Sequence, residues 1–265
     1  MRKINKVKLF VNKDRKSKRV SKILEEKLLE YHFDIVNENY DLAISIGGDG
    51  TFLRMLKEEN FNNDVYYIGV NSGTLGFLQE IDIKDTTDFV KRLNDNKFKE
   101  EELSIQKTTV LTKQEEKTFY SLNEIVIRKK DFSVLKVPVY IDNELLEKFT
   151  GDGLLISTST GSTAYNLSFG GAIIYNTLKT LSITPIAPLN NKVYQTLSNS
   201  IIIPDDKIVM ILPKSEDIFL MIDGVNYNIL DCIKIETGVA NRKIKCLRMT
   251  DFHFIKIVNN KILNK

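Results

Sequence analysis

One stretch restricts this chain more than any other: the apolar run Asp41-Leu42-Ala43-Ile44-Ser45-Ile46 breaks into Gly47-Gly48-Asp49-Gly50, and an amphipathic segment follows. A buried strand that delivers its C-terminal end to a tight glycine turn, with a helix starting at about Thr51, is the arrangement these residues favour. Glycines let backbone N–H groups approach a phosphate closely, with no Cβ in the way. A carboxylate at that place repels phosphate, so Asp49 suggests chemistry beside one: accepting a hydroxyl proton or holding Mg²⁺. The plainer alternative makes Asp49 the N-cap of the helix.

The pattern around this turn is α/β. Lys6 to Val11 reads as a strand, and Val20, Ile23, Leu24, Leu28 and Tyr31 recur at helical spacing. Phe33 to Val36 is a short strand, and Leu42 to Ile46 feeds the glycines. Phe52, Leu53, Met55 and Leu56 form the inner face of the next helix. Val65 to Val70 is a further strand opening into Asn71-Ser72-Gly73-Thr74-Leu75-Gly76-Phe77-Leu78, and Asp85 to Leu93 is a helix. Alternation of this kind implies a Rossmann-like α/β domain with a parallel sheet, whose ligands bind beyond the carboxyl ends of the strands.

From about Leu103 the texture becomes short alternating runs: Leu103 to Thr112, Glu124 to Arg128, Leu135 to Ile141, Glu144 to Phe149, Leu154 to Ser157, Ile208 to Leu212, Ile218 to Ile222, Ile229 to Glu236 and Lys243 to Met249. Asp142-Asn143 has hairpin-turn chemistry. We therefore expect residues 1–102 as an α/β domain and 103–250 as an antiparallel, β-sandwich-like domain. Residues 251–265, as a helix or strand, would return to the first domain.

Charge and composition narrow the function classes. With 38 basic against 35 acidic residues the net charge is +3, so no bulk pull toward nucleic acid follows. No apolar run approaches the ~20 residues of a membrane span. Two cysteines and two histidines are too few for a structural zinc site. The N-terminus has no signal-peptide core, and a cytoplasmic, reducing location is the expectation. There is no GxxxxGK[ST] loop, no GxGxxG and no GxSxG.

Two more polar clusters interrupt the apolar runs. One is Asn123-Glu124, ahead of Ile125-Val126-Ile127. The other is the run from Gly151-Asp152-Gly153 through Ser157-Thr158-Ser159-Thr160-Gly161-Ser162-Thr163-Ala164-Tyr165-Asn166 to Gly170-Gly171. That run reads as strand, hydroxyl-rich turn and a Ser- or Thr-capped helix start, an anion or sugar site with Tyr165 as a stacking face.

Taken in order, the glycine–aspartate turn, the Gly73–Phe77 loop, the Asn-Glu pair and Thr-Gly-Ser-Thr-Ala-Tyr-Asn resemble the NAD kinase family. The resemblance covers essentially the whole chain. The first cluster alone is shared with phosphofructokinases and diacylglycerol kinases, and the fourth separates them. What the resemblance implies is transfer of the γ-phosphate of ATP, or of another donor such as polyphosphate, to the 2′-hydroxyl of the adenosine ribose of NAD. Asp49 would accept the hydroxyl proton, with Gly48 and Gly50 beside it and Phe77 as an aromatic wall. Asn123 and Glu124 would hydrogen-bond the dinucleotide, and Thr160, Thr163, Ala164, Tyr165, Asn166 and Ser168 would line its pocket. Asp152 and Ala187 would also touch it, reaching a site in a neighbouring subunit; Tyr194 and Asp223 are placed near the same ligand. Mg²⁺ would accompany ATP, and a homodimer or homotetramer is implied. Two departures stand out: Ser159 where the family has Pro, and Thr150 where close relatives carry Arg. A lipid or sugar kinase sharing the glycine–aspartate turn, and a dinucleotide-binding sensor without catalysis, are the competing readings.

Overall fold

The computed structural model describes residues 3–73, 76–249 and 254–263. It divides the chain into two compact units, residues 1–103 with 243–265 and residues 104–242.

The first unit is built on parallel strands. β1 (Lys6–Val11) pairs with β2 (Asp34–Ile35) on one side and β3 (Leu42–Gly47) on the other, and β3 pairs with β4 (Tyr66–Asn71). Every residue of β3 and β4 is buried, which is why both read as unbroken apolar runs. α1 (Arg15–Glu30) is opened by Asp14, whose carboxylate accepts the Ser17 N–H, and it buries Val20, Leu24 and Leu28. α2 (Asp49–Glu58) buries Phe52, Met55 and Leu56, and α3 (Thr86–Asn94) buries Phe89, Val90 and Leu93. The α1 and α3 faces join Ile44, Ile46, Ile68 and Val70 in one core. α2 begins at Asp49 rather than at Thr51, and its N-cap is Gly48, with no side-chain cap bond.

Antiparallel pairing dominates the second unit. Its strands are β5 (Lys99–Thr112), β6 (Glu116–Ser121), β7 (Glu124–Lys129), β8 (Leu135–Ile141), β9 (Glu144–Thr158), β10 (Thr180–Pro188), β11 (Ile201–Pro204), β12 (Val209–Ile211), β13 (Glu216–Ile222) and β14 (Val225–Arg248). The order β11-β10-β9-β7-β13-β14 carries the sheet, with β8 pairing both β9 and β12. Asp142 and Asn143 both take positive φ, at 47° and 72°, in the tight turn between β8 and β9. Ile125, Ile127, Leu154, Ile156, Leu220 and Ile235 meet in this unit's core.

Two expectations about these strands need correction. The runs Glu144 to Phe149 and Leu154 to Ser157 are one strand, because Gly151-Asp152-Gly153 stays extended in the ladder. A Cβ on Gly151 would stand 2.9 Å from the Ala187 carbonyl, and one on Gly153 2.6 Å from that of Ile127. These glycines serve close strand packing. Likewise Ile229 to Glu236 and Lys243 to Arg248 belong to the single strand β14, with Met249 just beyond it. Its residues Lys245 and Cys246 pair in parallel with Tyr66 and Tyr67 of β4. The chain therefore rejoins the first unit at Lys243, before the expected residue 251.

β10 has no counterpart among the expected runs, because Pro185 falls inside it and the alternation alone hides it. Proline removes a ladder donor and is tolerated where one side of the strand lacks a partner. β11 pairs only with Thr180 to Ile183, so Pro185 sits beyond that partner and pairs with Leu154 of β9 alone. In the C-terminal segment, α5 (Phe254–Val258) anchors through buried Phe254, and a π-helical turn spans Asn259–Leu263. Residues 251–253 and 264–265 of the expected returning segment lie outside the described residues, as do Thr74 and Leu75 of the second glycine loop.

Candidate active site

In the first unit the site is made where β3 and β4 end. Gly47 is packed so tightly that an added Cβ would lie 2.2 Å from Thr51 Oγ1, whereas Gly48 and Gly50 face open space. Asp49 is half-buried, and its side chain does not cap its own helix. Instead it crosses to the second glycine loop. Oδ2 accepts the Phe77 N–H at 2.8 Å and Oδ1 accepts the Leu78 N–H at 3.0 Å. Each oxygen retains acceptor capacity after one such bond. Gly76 makes this approach feasible, since a Cβ there would fall 1.7 Å from Oδ1. The two glycine clusters of the sequence are thus one construction, joined by a carboxylate. Phe77 is half-buried, and the Lys261 ammonium lies 5.3 Å from its ring centroid.

In the second unit the Asn-Glu pair sits at the start of β7, with Asn123 and Glu124 both buried. Asp223, at the turn between β13 and β14, collects three backbone donors: Leu122 N–H to Oδ2 at 2.7 Å, then Asn123 and Glu124 N–H to Oδ1 at 2.8 and 3.2 Å. These bonds hold the pair in place. Burial raises the Asp223 carboxyl to about 6, although the three donors favour its charged form. Glu124 is pushed further, to about 8, by burial and by the Asp223 charge, while an N–H from Tyr165 opposes the shift. Its Oε2 is buried and has no hydrogen-bond partner. At neutral pH Glu124 is therefore mainly a neutral acid, able to donate a hydrogen bond.

The hydroxyl-rich run closes over this pair. Thr158 Oγ1 donates to the Leu122 carbonyl at 2.6 Å and accepts the Gly161 N–H at 3.1 Å. Gly161 approaches Asn123 so closely that a Cβ would fall 2.1 Å from its carbonyl oxygen. A 3₁₀ turn spans Thr160–Thr163 and a four-residue helix, α4, spans Tyr165–Ser168. The helix is not capped by Ser or Thr as expected: Ala164 occupies the N-cap. The Ser162 hydroxyl is spent on the Ser159 carbonyl and on Ile174.

Asn166 is fully buried. Its amide donates to the Ser162 and Ala172 carbonyls and accepts from Thr184 Oγ1 at 2.6 Å. Both ends of that side chain are committed to the protein, so it braces the run. Tyr165 and Ser168 are exposed, and Thr160, Thr163 and Ala164 are half-buried. The Tyr165 ring meets Phe169 edge-on at 4.7 Å between centroids.

Asp152 and Ala187 lie apart from this group. Both are exposed and stand on facing strands, between the pairs Ile186–Gly153 and Pro188–Gly151. Glu124 instead faces Ser157, which puts Asp152 about 16 Å further along β9 at ~3.3 Å per residue. Tyr194 lines a separate cavity of about 530 Å³ with Lys136, Lys148 and Lys192, and its hydroxyl accepts from Lys136 Nζ at 2.8 Å. Sequence reading passed over Lys261, because a lone lysine in a polar tail carries no local signal. Among the described residues, no cluster of three or more His, Cys, Asp or Glu side chains could hold a metal ion.

An aspartate at a glycine-built strand end, together with a braced polar run in a β-rich unit, defines a nucleotide-handling protein of mixed α/β content. Two family models then match the chain: ATP-NAD kinase N-terminal domain over residues 3–98 and ATP-NAD kinase C-terminal domain over residues 122–245. Among curated relatives, an NAD kinase of Finegoldia magna is 35% identical, with 83% of this chain and 84% of that protein covered. One of Lactobacillus gasseri is 36% identical over 94% of each, and one of Streptococcus gordonii 35% over 90% and 88%. Yeast NADH kinase, solved in complex with NADH, superposes with a TM-score of 0.85 at 20% identity, over 100% of this chain and 89% of that one. The chain belongs to the NAD kinase family. With that membership comes its activity, phosphoryl transfer to NAD.

Proposed function

We propose that this enzyme transfers the γ-phosphate of ATP, presented as its Mg²⁺ complex, to the 2′-hydroxyl of the adenosine ribose of NAD, with Asp49 as the proton acceptor. The observation that carries the reading is the Asp49 carboxylate. It is fixed by one backbone donor on each oxygen, half-buried, and held at the end of a parallel strand. A group in that state is oriented without being sealed in the interior. Phosphoryl transfer asks the protein for positioning and charge neutralisation, and the hydroxyl proton needs an acceptor as the new O–P bond forms. We read the first unit as Rossmann-like, with the acceptor base at the carboxyl ends of its strands.

Asn123 and Glu124 bind the dinucleotide, Glu124 as a donor. Thr160, Thr163, Ala164, Tyr165 and Ser168 supply polar and stacking contacts, with Asn166 behind them as a brace. Asp152 and Ala187, far along their strands from Glu124, serve a dinucleotide bound to a neighbouring subunit of a homodimer or homotetramer. No helix among the described residues is long and apolar enough to cross a membrane, and we place the enzyme in the cytoplasm.

The test is direct. The protein is incubated with ATP, Mg²⁺ and NAD, and NADP is read with a coupled dehydrogenase. The wild type forms NADP, and Asp49→Asn loses two to four decades of kcat, roughly the range of a general base, while NAD affinity is retained. Wild-type turnover by Asp49→Asn would remove the base assignment.

A further inference from the structure

The C-terminal segment brings one cation to the carboxylate just described. Lys261 lies in the π-helical turn after α5, is half-buried, and rests its ammonium 5.3 Å from the Phe77 ring centroid. Phe77 is the residue whose N–H is bound by Asp49 Oδ2. Lys261 also lies within electrostatic reach of Asp49: burial lowers the lysine's pKa and the Asp49 charge opposes that. Yet no carboxylate among the described residues lies within 4.0 Å of its Nζ, as the ion pairs of the other lysines show by contrast. A partly desolvated ammonium held on an aromatic face, near a carboxylate but not bonded to it, retains its three donors for another anion.

Anchoring of the tail does not require this charge. Phe254 is buried and starts the segment, whereas Ile255 and Leu263 are exposed. Chemistry supplies a use for it. When Asp49 receives the proton of a hydroxyl, the phosphorus being attacked stands just beyond that hydroxyl oxygen, on the side away from the carboxylate. An ammonium on a flexible four-carbon stem beside Asp49 can then meet the oxygens of the transferred phosphoryl group. There it offsets both their charge and their repulsion by the base.

We propose that Lys261 is a catalytic residue that binds the γ-phosphoryl group of the donor beside Asp49. The inference rests on the placement of Asp49 at the reacting hydroxyl. It makes the C-terminal segment part of the donor's binding machinery.

Lys261→Met keeps the apolar stem and removes the charge, and Lys261→Arg keeps a charge. For Lys261→Met the expected result is a roughly 10- to 100-fold loss in kcat/KM for ATP, with NAD affinity within twofold of wild type. Lys261→Arg recovers most of that loss. Inhibition by the β,γ-imido analogue of ATP weakens about tenfold in Lys261→Met, and inhibition by ADP, which lacks the γ-phosphate, stays within twofold. Unchanged kcat/KM for ATP, a loss confined to NAD, or equal weakening of ADP and the analogue would overturn the proposal. The inhibitor comparison reads binding alone, so it stands apart from Asp49→Asn turnover, which tests the base. A thermal melt of each variant checks folding, and Lys261→Gln replaces Lys261→Met should the latter melt early.

Discussion

The two regions proposed to carry the chemistry are built on opposite plans. At the Gly47–Gly50 turn, small residues clear space and one carboxylate stays half-open, tied by two backbone N–H groups of a loop from another strand. In the Thr158–Gly171 run the buried polar side chains are tied mostly to backbone groups: Thr158, Ser162 and Asn166 bind main-chain carbonyls, and Asn166 also accepts from Thr184, forming an internal network with little left for solvent. Similar density of polar residues thus conceals two uses. A reactive group needs orientation with spare lone pairs, whereas a binding wall needs rigidity, and buried hydroxyls and amides supply rigidity only when every bond is made.

That contrast is broken most severely at Gly76. Gly76→Ala places a methyl 1.7 Å from Asp49 Oδ1, so the carboxylate must leave Phe77 and Leu78. We expect kcat/KM to fall by roughly two decades or more, with a melting temperature close to wild type. A coupled NADP assay beside a thermal melt would separate the two effects, and a variant that melts early but turns over normally would reverse the reading.

Asn166→Ala should do the reverse. It strands the Ser162 and Ala172 carbonyls and removes one acceptor of the Thr184 hydroxyl, costing about 2–4 kcal/mol of stability. Denaturant unfolding measures this directly. A smaller loss than for Thr163→Val, whose hydroxyl belongs to no bond in this internal network, would show that the brace is not one.

Glu124 sharpens the comparison by pH. A carboxyl raised to about 8 in the folded protein, from an ordinary value near 4.5, binds its proton more tightly when folded. Its contribution is fully present below pH ~4.5 and is lost as pH rises toward 8. Stability should therefore decline across that window, and Glu124→Gln should flatten the decline by about 1–3 kcal/mol. Asp223, raised to about 6, leaves a residual slope at lower pH. Melting curves from pH 5 to 8.5 test this, and an unchanged profile in Glu124→Gln would exclude a neutral Glu124. If that acid donates to NAD, wild-type affinity also weakens above pH 8, and the Gln variant holds its affinity.

Much of the first unit was legible residue by residue, because period and burial agree there. Val20, Leu24 and Leu28 recur at helical spacing, and β3 and β4 are buried on both faces, so helix and strand identities follow from local pattern. The second unit was legible only as a texture. Pro185 disguised β10, and the glycines at 151 and 153 looked like a break in β9; both depend on what lies on the neighbouring strand.

By itself the sequence determined the chemical inventory and its order: one aspartate among glycines, an Asn-Glu pair, a hydroxyl-rich run, and the α/β-to-β change of texture. Only the tertiary structure decided how those groups are used. Asp49 grips the Phe77 loop, Asn166 turns inward, Asp223 fixes the Asn-Glu pair, and Lys261 comes to the Phe77 ring from the far end of the chain. The reason is one of range. Periodicity and turn chemistry act over a few residues, whereas a hydrogen-bond partner or a desolvating neighbour is chosen by packing among segments distant in sequence.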